Sequence, residues 1–472
     1  MAEEHPLYRL FNPHAIAVVG ASRHPRKIGH IILRNILEGG YKGRVYPVNP
    51  NADRILGLRA YPRISAIPDH VDVAIVAIPA EKVLDVAVDA GESGVGFLVV
   101  ISSGFKEAGH PELEEKLVEI ARKYGMRVLG PNVAGYVYTP ASLNATFGPS
   151  RLLPGNIAFI TQSGAFAIAL MGSTLIEGMG VSAIVSIGNK SDLDDADLLD
   201  YFRVDPHTRV ILFYMEWLRD GRRFLEALSE TILEKPVVVI KAGRTEAGSR
   251  AAASHTGRMA GSYRIYSAAL RQGGALLARS MEEAFDAAKA LAWNPLPRPT
   301  HREGINILVV TNGGGAGIQA TDTLAERGFR LREPPEKLRK ELAEVLPPFA
   351  SLRNPIDLTG MAPAEWFYEA LRAALRSEWV DAILVLYTQT GLSGPVETAK
   401  AIRDAVRDEG HSKPLTAAFL GGPECLHAAK LLTRERIPAY PTPERAATAL
   451  AFIAEYMERR EYVRKRLQEL GR

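Results

Sequence analysis

Ala15-Ile16-Ala17-Val18-Val19-Gly20-Ala21-Ser22 is the stretch from which the fold is read. Five apolar residues suffice for one buried strand, and they end in a glycine and a hydroxyl. Arg23, Arg26, Lys27 and Gly29 follow, and then a helical pattern from Ile31 to Leu37. A strand, a glycine turn and a helix in that order open a parallel α/β unit whose ligand loop sits at the carboxyl end of the strand. Glycine at the turn lets backbone amides and a helix N-terminus face a phosphate, and three cations suit a polyphosphate. A plain βα turn with solvated cations is the alternative reading of the same residues. The dinucleotide fingerprint G-x-G-x-x-G is missing, and the second strand ends in Asn49-Pro50 where an NAD protein needs an acid for the ribose. A nicotinamide dehydrogenase is therefore set aside.

Working outward, short β-rich apolar runs alternate with helical patterns along the whole chain, the signature of parallel sheets covered by helices. The first set is Ala15–Val19, Arg44–Val48, Val71–Ile78, Phe97–Ile101 and Arg127–Leu129. The second, after Leu153-Pro154-Gly155, is Ile157–Thr161, Val181–Ile187, Val210–Tyr214 and Pro236–Lys241. Proline density in Asn294-Pro295-Leu296-Pro297-Arg298-Pro299-Thr300 blocks both helix and ladder and marks a linker. A third set follows: Ile305–Thr311, Ala382–Tyr387 and Leu415–Leu420, then a charged terminal helix. The expectation is an α/β protein of three units, 1–150, 151–297 and 298–472, which agrees with roughly 150 residues per domain in a chain of 472.

Lys plus Arg number 57 against 54 Asp plus Glu, so no global basic field marks a nucleic-acid binder. One cysteine, Cys425, rules out an intrachain disulfide and fits a reducing compartment. The first ten residues are charged, and no run of 18 apolar residues occurs, so neither a leader nor a membrane span is expected and the chain reads as cytoplasmic.

The strand ends carry the chemistry. Ile78-Pro79, Ser102-Ser103-Gly104 and Gly130-Pro131-Asn132 converge with Gly20 and Ser22 on one sheet edge and suit a long thin ligand such as coenzyme A. Thr161-Gln162-Ser163-Gly164-Ala165 opens a helix and reads either as an anion seat or as a serine N-cap. Glu216 lies just past the Val210–Tyr214 run. His255, in Ala251-Ala252-Ala253-Ser254-His255-Thr256-Gly257, is an imidazole among small residues that no apolar periodicity would bury, read as a loop. It is either a surface histidine or a nucleophile with room for a tetrahedral phosphoryl group, in which case Glu216 could accept its ring N–H and fix the tautomer. Asn189-Lys190-Ser191-Asp192 with Asp194, Asp195 and Asp197 reads as helix capping rather than a metal loop, and no metal site is expected. Gly313-Gly314-Gly315 after the Ile305–Thr311 strand is a candidate second anion loop, with Asn354-Pro355-Ile356-Asp357-Leu358 either closing over it or forming a turn.

The ordered set Gly20-Ala21-Ser22, Thr161-Gln162-Ser163-Gly164, Ser254-His255-Thr256-Gly257 and Asn312-Gly313-Gly314-Gly315-Ala316-Gly317 resembles the α-subunits of ADP-forming acetyl-CoA synthetases, relatives of succinyl-CoA synthetase. The resemblance covers essentially the whole chain. It implies a Rossmann-like CoA-binding domain followed by two flavodoxin-like domains. It implies that acyl-CoA, phosphate and ADP become carboxylic acid, CoA and ATP through an acyl phosphate and a phosphohistidine. His255 would be the phosphorylated residue and Glu216 its orienting acid. Gln162, Ser163, Gly164 and Ala165 would hold the phosphoryl group, and Gly20, Ser22, Lys27, Pro79, Ser103 and Asn132 would form the CoA site. No segment resembles an ATP-grasp module, so the resemblance places ADP and magnesium on a separate β-subunit, in an α2β2 assembly. The competing reading is a CoA-binding regulatory protein of the same fold without turnover.

Overall fold

The computed structural model describes residues 2–256, 261–297 and 304–471, with only the backbone of 252–256. The described residues form two compact units, Met1–Leu277 and Ala278–Arg472.

The first unit opens with a five-stranded parallel sheet. It is built from β1 (Ala15–Val19), β2 (Arg44–Val48), β5 (Val73–Val76), β6 (Phe97–Val100) and β7 (Arg127–Leu129), in the order β2-β1-β5-β6-β7. A small hairpin, β3 (Arg54–Ile55) with β4 (Leu58–Arg59), follows β2. Every residue of β1, β5 and β6 is buried, as expected of strands covered by helices on both faces. Because all five strands run parallel, the turns after them share one edge.

A second sheet takes β8 (Gly135–Tyr138), β9 (Leu143–Thr146), β10 (Pro154–Thr161), β11 (Val181–Ser186), β12 (Val210–Met215), β13 (Val237–Lys241) and β14 (Leu276–Ala278), in the order β14-β13-β12-β10-β11-β8-β9. β8 runs antiparallel to β11, so this sheet recruits residues before position 150. The two sheets are joined by backbone bonds: Asn189 N–H donates to the Pro131 carbonyl at 3.0 Å, Ser191 to Gly130 at 3.1 Å and Leu193 to Val128 at 3.1 Å. Gly188 allows this approach. Its φ is +50°, and a Cβ there would lie 2.3 Å from the Pro131 oxygen.

The second unit holds β15 (Ile307–Thr311), β16 (Ile356–Asp357), β17 (Ala382–Thr388), β18 (Leu415–Leu420) and β19 (Ala439–Tyr440), in the parallel order β16-β15-β17-β18-β19. Its four first strands repeat the topology of β10 to β13: the run β13-β12-β10-β11 has the same order as β18-β17-β15-β16. The Met281–Trp293 helix, which precedes the proline-rich linker, packs in this unit. Asp286 takes both arms of Arg445 at 2.7 Å, and Leu415 N–H donates to the Asn294 side chain at 2.7 Å.

Candidate functional site

The six residues read as a CoA site lie at the carboxyl edge of the first sheet, after β1, β5, β6 and β7. Gly20, at φ +86°, is held so close to β5 that a Cβ would meet the Ala77 carbonyl oxygen at 2.3 Å, and Gly29 would meet the Gly20 oxygen at 2.1 Å. Only glycine lets the Ile28–Glu38 helix start this near the strand end. Ser22 Oγ accepts from His24 N–H at 3.1 Å, and Lys27 is the exposed residue just before the helix. Pro79 and Ser103 are exposed, and Asn132 sits at φ +62° after the joint between the sheets. The Asn189 amide closes the β6 loop onto that joint, donating to Glu107 at 2.5 Å and Glu114 at 2.9 Å, while Glu107 accepts from Gly104 N–H at 2.7 Å.

At the second sheet, Ser163 is the N-cap of the Gly164–Glu177 helix, its Oγ accepting from Phe166 N–H at 3.3 Å. The serine is thus a cap, and the helix mouth it caps is open: Gly164 is half-buried and Ala165 exposed. Such a mouth presents backbone N–H groups and the positive end of the helix dipole to an anion.

Gln162 does something the sequence did not reveal. Its Oε1 accepts from Glu216 N–H at 3.0 Å and Trp217 N–H at 3.1 Å, and its Nε2 donates to the Trp217 carbonyl at 2.7 Å and to Asp195 at 3.3 Å. The side chain is spent on tying the helix mouth to the end of β12, which brings Glu216 to the same place. Lys190 completes the tie. Its buried ammonium donates to Asp195 at 2.6 Å and the Trp217 carbonyl at 2.6 Å and lies 4.1 Å from the centre of the Trp217 ring.

Lys241, at the end of β13, is a second buried cation of this edge. It donates to the Ala242 carbonyl at 2.7 Å and lies over the Tyr266 ring at 4.7 Å. Burial pulls its pKa down to about 8, against the upward pull of the Glu216 charge. The acidic run behaves as capping. Asp194 is the N-cap of the Asp195–Val204 helix in a capping box with Asp197, and Asp192 accepts from Arg127 at 2.9 Å. Among the described residues no group of three or more His, Cys, Asp or Glu is placed to hold a metal ion.

The backbone of Ala251–Thr256 belongs to the Glu246–Thr256 helix, where a loop was expected. Three consecutive alanines explain the difference, since alanine has the strongest helix propensity. This helix follows β13, the neighbour of β12, and so leaves from the edge that carries Glu216. The His255 side chain lies outside the described residues.

In the second unit, Gly313 is the N-cap of the Gly314–Glu326 helix. A Cβ on Gly313 would meet Thr388 Oγ1 at 2.6 Å, and one on Gly314 the Asp357 carboxylate at 3.3 Å, whereas Gly315 faces open space. Asn312 exchanges side-chain bonds with the backbone of Thr388, donating to its carbonyl at 3.0 Å and accepting from its N–H at 2.7 Å. The Asn354–Leu358 segment supplies β16, paired in parallel with Val310 and Thr311, and brings Asp357 beside the glycines.

Three family models match the chain: a CoA binding domain over residues 14–139, a succinyl-CoA ligase like flavodoxin domain over 154–291 and a ligase-CoA domain over 307–462. The α-subunit of acetate–CoA ligase [ADP-forming] I from Pyrococcus furiosus is 49% identical over 456 residues, covering 95% of this chain and 97% of the relative. Acetate–CoA ligase [ADP-forming] I of Archaeoglobus fulgidus is 39% identical over 95% of this chain, which spans 63% of that longer protein. The dinucleotide forming acetyl-coenzyme A synthetase 1 of Ca. Korarchaeum cryptofilum, solved in complex with phosphate and ADP, superimposes with a TM-score of 0.95 at 56% identity, covering 98% of this chain and 99% of the solved one.

Proposed function

The chain belongs to the α-subunit family of ADP-forming acetate–CoA ligases, and from that membership we propose that it is the acyl- and phosphoryl-handling subunit of an NDP-forming acyl-CoA synthetase. Phosphate displaces CoA from the thioester to give an acyl phosphate. His255 attacks the phosphorus and releases the carboxylate, and the phosphohistidine then passes its phosphoryl group to ADP on a partner subunit that holds the nucleotide and magnesium. We read residues 1–150 as the CoA domain, 151–297 as the phosphohistidine domain and 298–472 as the second ligase domain, working in an α2β2 assembly in the cytoplasm.

The observation that carries this reading is the joining of the Gly164–Glu177 helix mouth to Glu216 through one glutamine side chain. Each half has a role in this chemistry. The open helix N-terminus offers N–H groups and a positive dipole to the phosphoryl group, through Ser163, Gly164 and Ala165. A carboxylate at Glu216 accepts one ring N–H of the histidine, leaving the other nitrogen as a lone-pair donor to phosphorus, and stabilises the ring as it gains charge. Gly20, Ser22, Lys27, Pro79, Ser103 and Asn132 line the edge that takes CoA, with Lys27 and the Ile28–Glu38 helix start suited to its phosphates. The Gly313–Gly315 loop serves as a second anion stop.

The test is to incubate the chain and its partner with acetyl-CoA and radiolabelled phosphate. One acid-labile, base-stable phosphoryl group per chain is expected, with His255→Ala unlabelled. Undiminished labelling of His255→Ala would falsify the assignment. Stoichiometric CoA binding by the wild-type assembly with no label would favour the regulatory reading.

A further inference from the structure

Lys190 is an odd residue to find where it is. It stands in the turn after β11 with φ +53°, a left-handed conformation that favours glycine or asparagine and is strained for another residue. Its side chain is buried, and burying an ammonium is unfavourable unless it is paired and hydrogen-bonded. Helix capping by the neighbouring acids needs no lysine here, since Asp194 and Asp197 cap the helix themselves.

Its contacts describe a closed ring. Lys190 bonds Asp195 and the Trp217 carbonyl, Asp195 accepts from Gln162, and Gln162 in turn holds the N–H groups of Glu216 and Trp217 and the Trp217 carbonyl. Two donors therefore converge on one carbonyl, that of Trp217, from the ends of two successive strands on the same side of β12: Gln162 from β10 and Lys190 from the turn after β11. Gln162 supplies this carbonyl with one neutral donor, and Lys190 adds a second, charged one.

We propose that Lys190 is a positioning residue for phosphoryl transfer. Its ammonium, seated on Asp195, fixes the Trp217 carbonyl, and through it the chain just past Glu216, relative to the helix mouth at Ser163 and Gly164. The inference rests on Glu216 being the acid that orients His255. Lys190 touches neither substrate nor histidine in this role; it sets the distance at which Glu216 can meet the imidazole, and misplacements of about 1 Å lower rates on the order of a hundredfold.

The variants are Lys190→Met, which keeps the length of the side chain and removes the charge, and Lys190→Met/Asp195→Asn, which also removes the charge stranded by the first change. Both are assembled with the partner subunit and given acetyl-CoA and radiolabelled phosphate. The double variant is expected to reach wild-type label per chain and wild-type CoA affinity, but at a rate lowered about tenfold to a hundredfold. A double variant that labels at the wild-type rate overturns the proposal. So does a loss of final label in step with a loss of folded protein in both variants, which would assign Lys190 to stability alone. If the wild-type assembly takes no label, the functional reading fails instead.

Discussion

Two strand-to-helix junctions in this chain are built to one plan and furnished differently. At the first, Thr161 Oγ1 accepts from Ser163 N–H and donates to its carbonyl, at 3.0 and 3.1 Å; at the second, Thr311 does the same with Gly313, at 3.0 Å each way. Gln162 N–H donates to the Tyr214 carbonyl and Asn312 N–H to that of Leu386, the equivalent place on the neighbouring strand. Each amide side chain then grips the end of that strand: Gln162 at Glu216 and Trp217, Asn312 at Thr388. The furnishing differs in charge and in room. The first junction gathers Lys190, Asp195, Glu216 and Lys241, and its cap is a serine. The second has a glycine cap pressed on Thr388, with Asp357 beside the next glycine. The shared plan makes a helix mouth, and the strand ends around it decide what the mouth can do.

The largest expected difference lies in the two amides. Gln162→Ala removes four hydrogen bonds and leaves two half-buried N–H groups and a carboxylate short of a partner, which should cost about 3 kcal/mol. Asn312→Ala removes two and should cost about 2 kcal/mol. Urea denaturation of the two variants measures the gap. If Asn312→Ala proves the worse, the first junction is not the more tightly organised.

Next come the glycines, where the order reverses. Gly313→Ala would place a methyl group 2.6 Å from Thr388 Oγ1 and 3.0 Å from its Cβ, an overpacking expected to cost about 2 kcal/mol. Gly164→Ala meets nothing closer than 3.6 Å and should change stability by less than about 0.5 kcal/mol. A comparable loss at both sites would mean that the crowding seen at Gly313 is relieved by side-chain movement. Ser163→Ala removes only a cap and should cost about 1 kcal/mol, while phosphoryl labelling persists because the backbone N–H groups of the helix mouth remain.

The plan was legible in the sequence and the furnishing was not. Apolar runs located β1, β2, β7 and β18 to the residue, and β1, buried throughout, is the continuous apolar segment that a strand covered on both faces writes. β8, which carries Tyr136 and Tyr138, and β9 were missed. They lie before the expected boundary at 150 and pair antiparallel, a pattern that no βα alternation announces. β14, β16 and β19 are two or three residues long and exist only because a neighbouring strand is there to pair with. At the site, glycines and the serine cap were readable because their roles are local. The Gln162, Lys190 and Asp195 ring was not: its members come from three strand ends up to 55 residues apart, and a buried lysine has the same local signature as a solvated one.

The smallest expected effect concerns the cation that the first junction has at the end of β13 and the second lacks, since the equivalent β18 ends in Leu420. Burial lowers the Lys241 pKa to about 8, whereas in the unfolded chain the amine titrates at about 10.4. Below pH 8 both states carry the proton, and the folded state bears the full cost of a buried charge. Between about 8 and 10 the unfolded chain holds a proton that the folded chain has released, so stability rises with pH through that window. Lys235 and Lys413, also lowered to about 8 by burial, contribute with the same sign. Lys241→Met should therefore keep a rising slope of melting temperature between pH 8 and 9.5 but flatten it. It should also gain most at pH 7, where the wild-type lysine is still charged. An unchanged slope would mean that Lys241 keeps its proton in the folded protein, held by Glu216, and that the two form a lasting ion pair at the mouth of the helix.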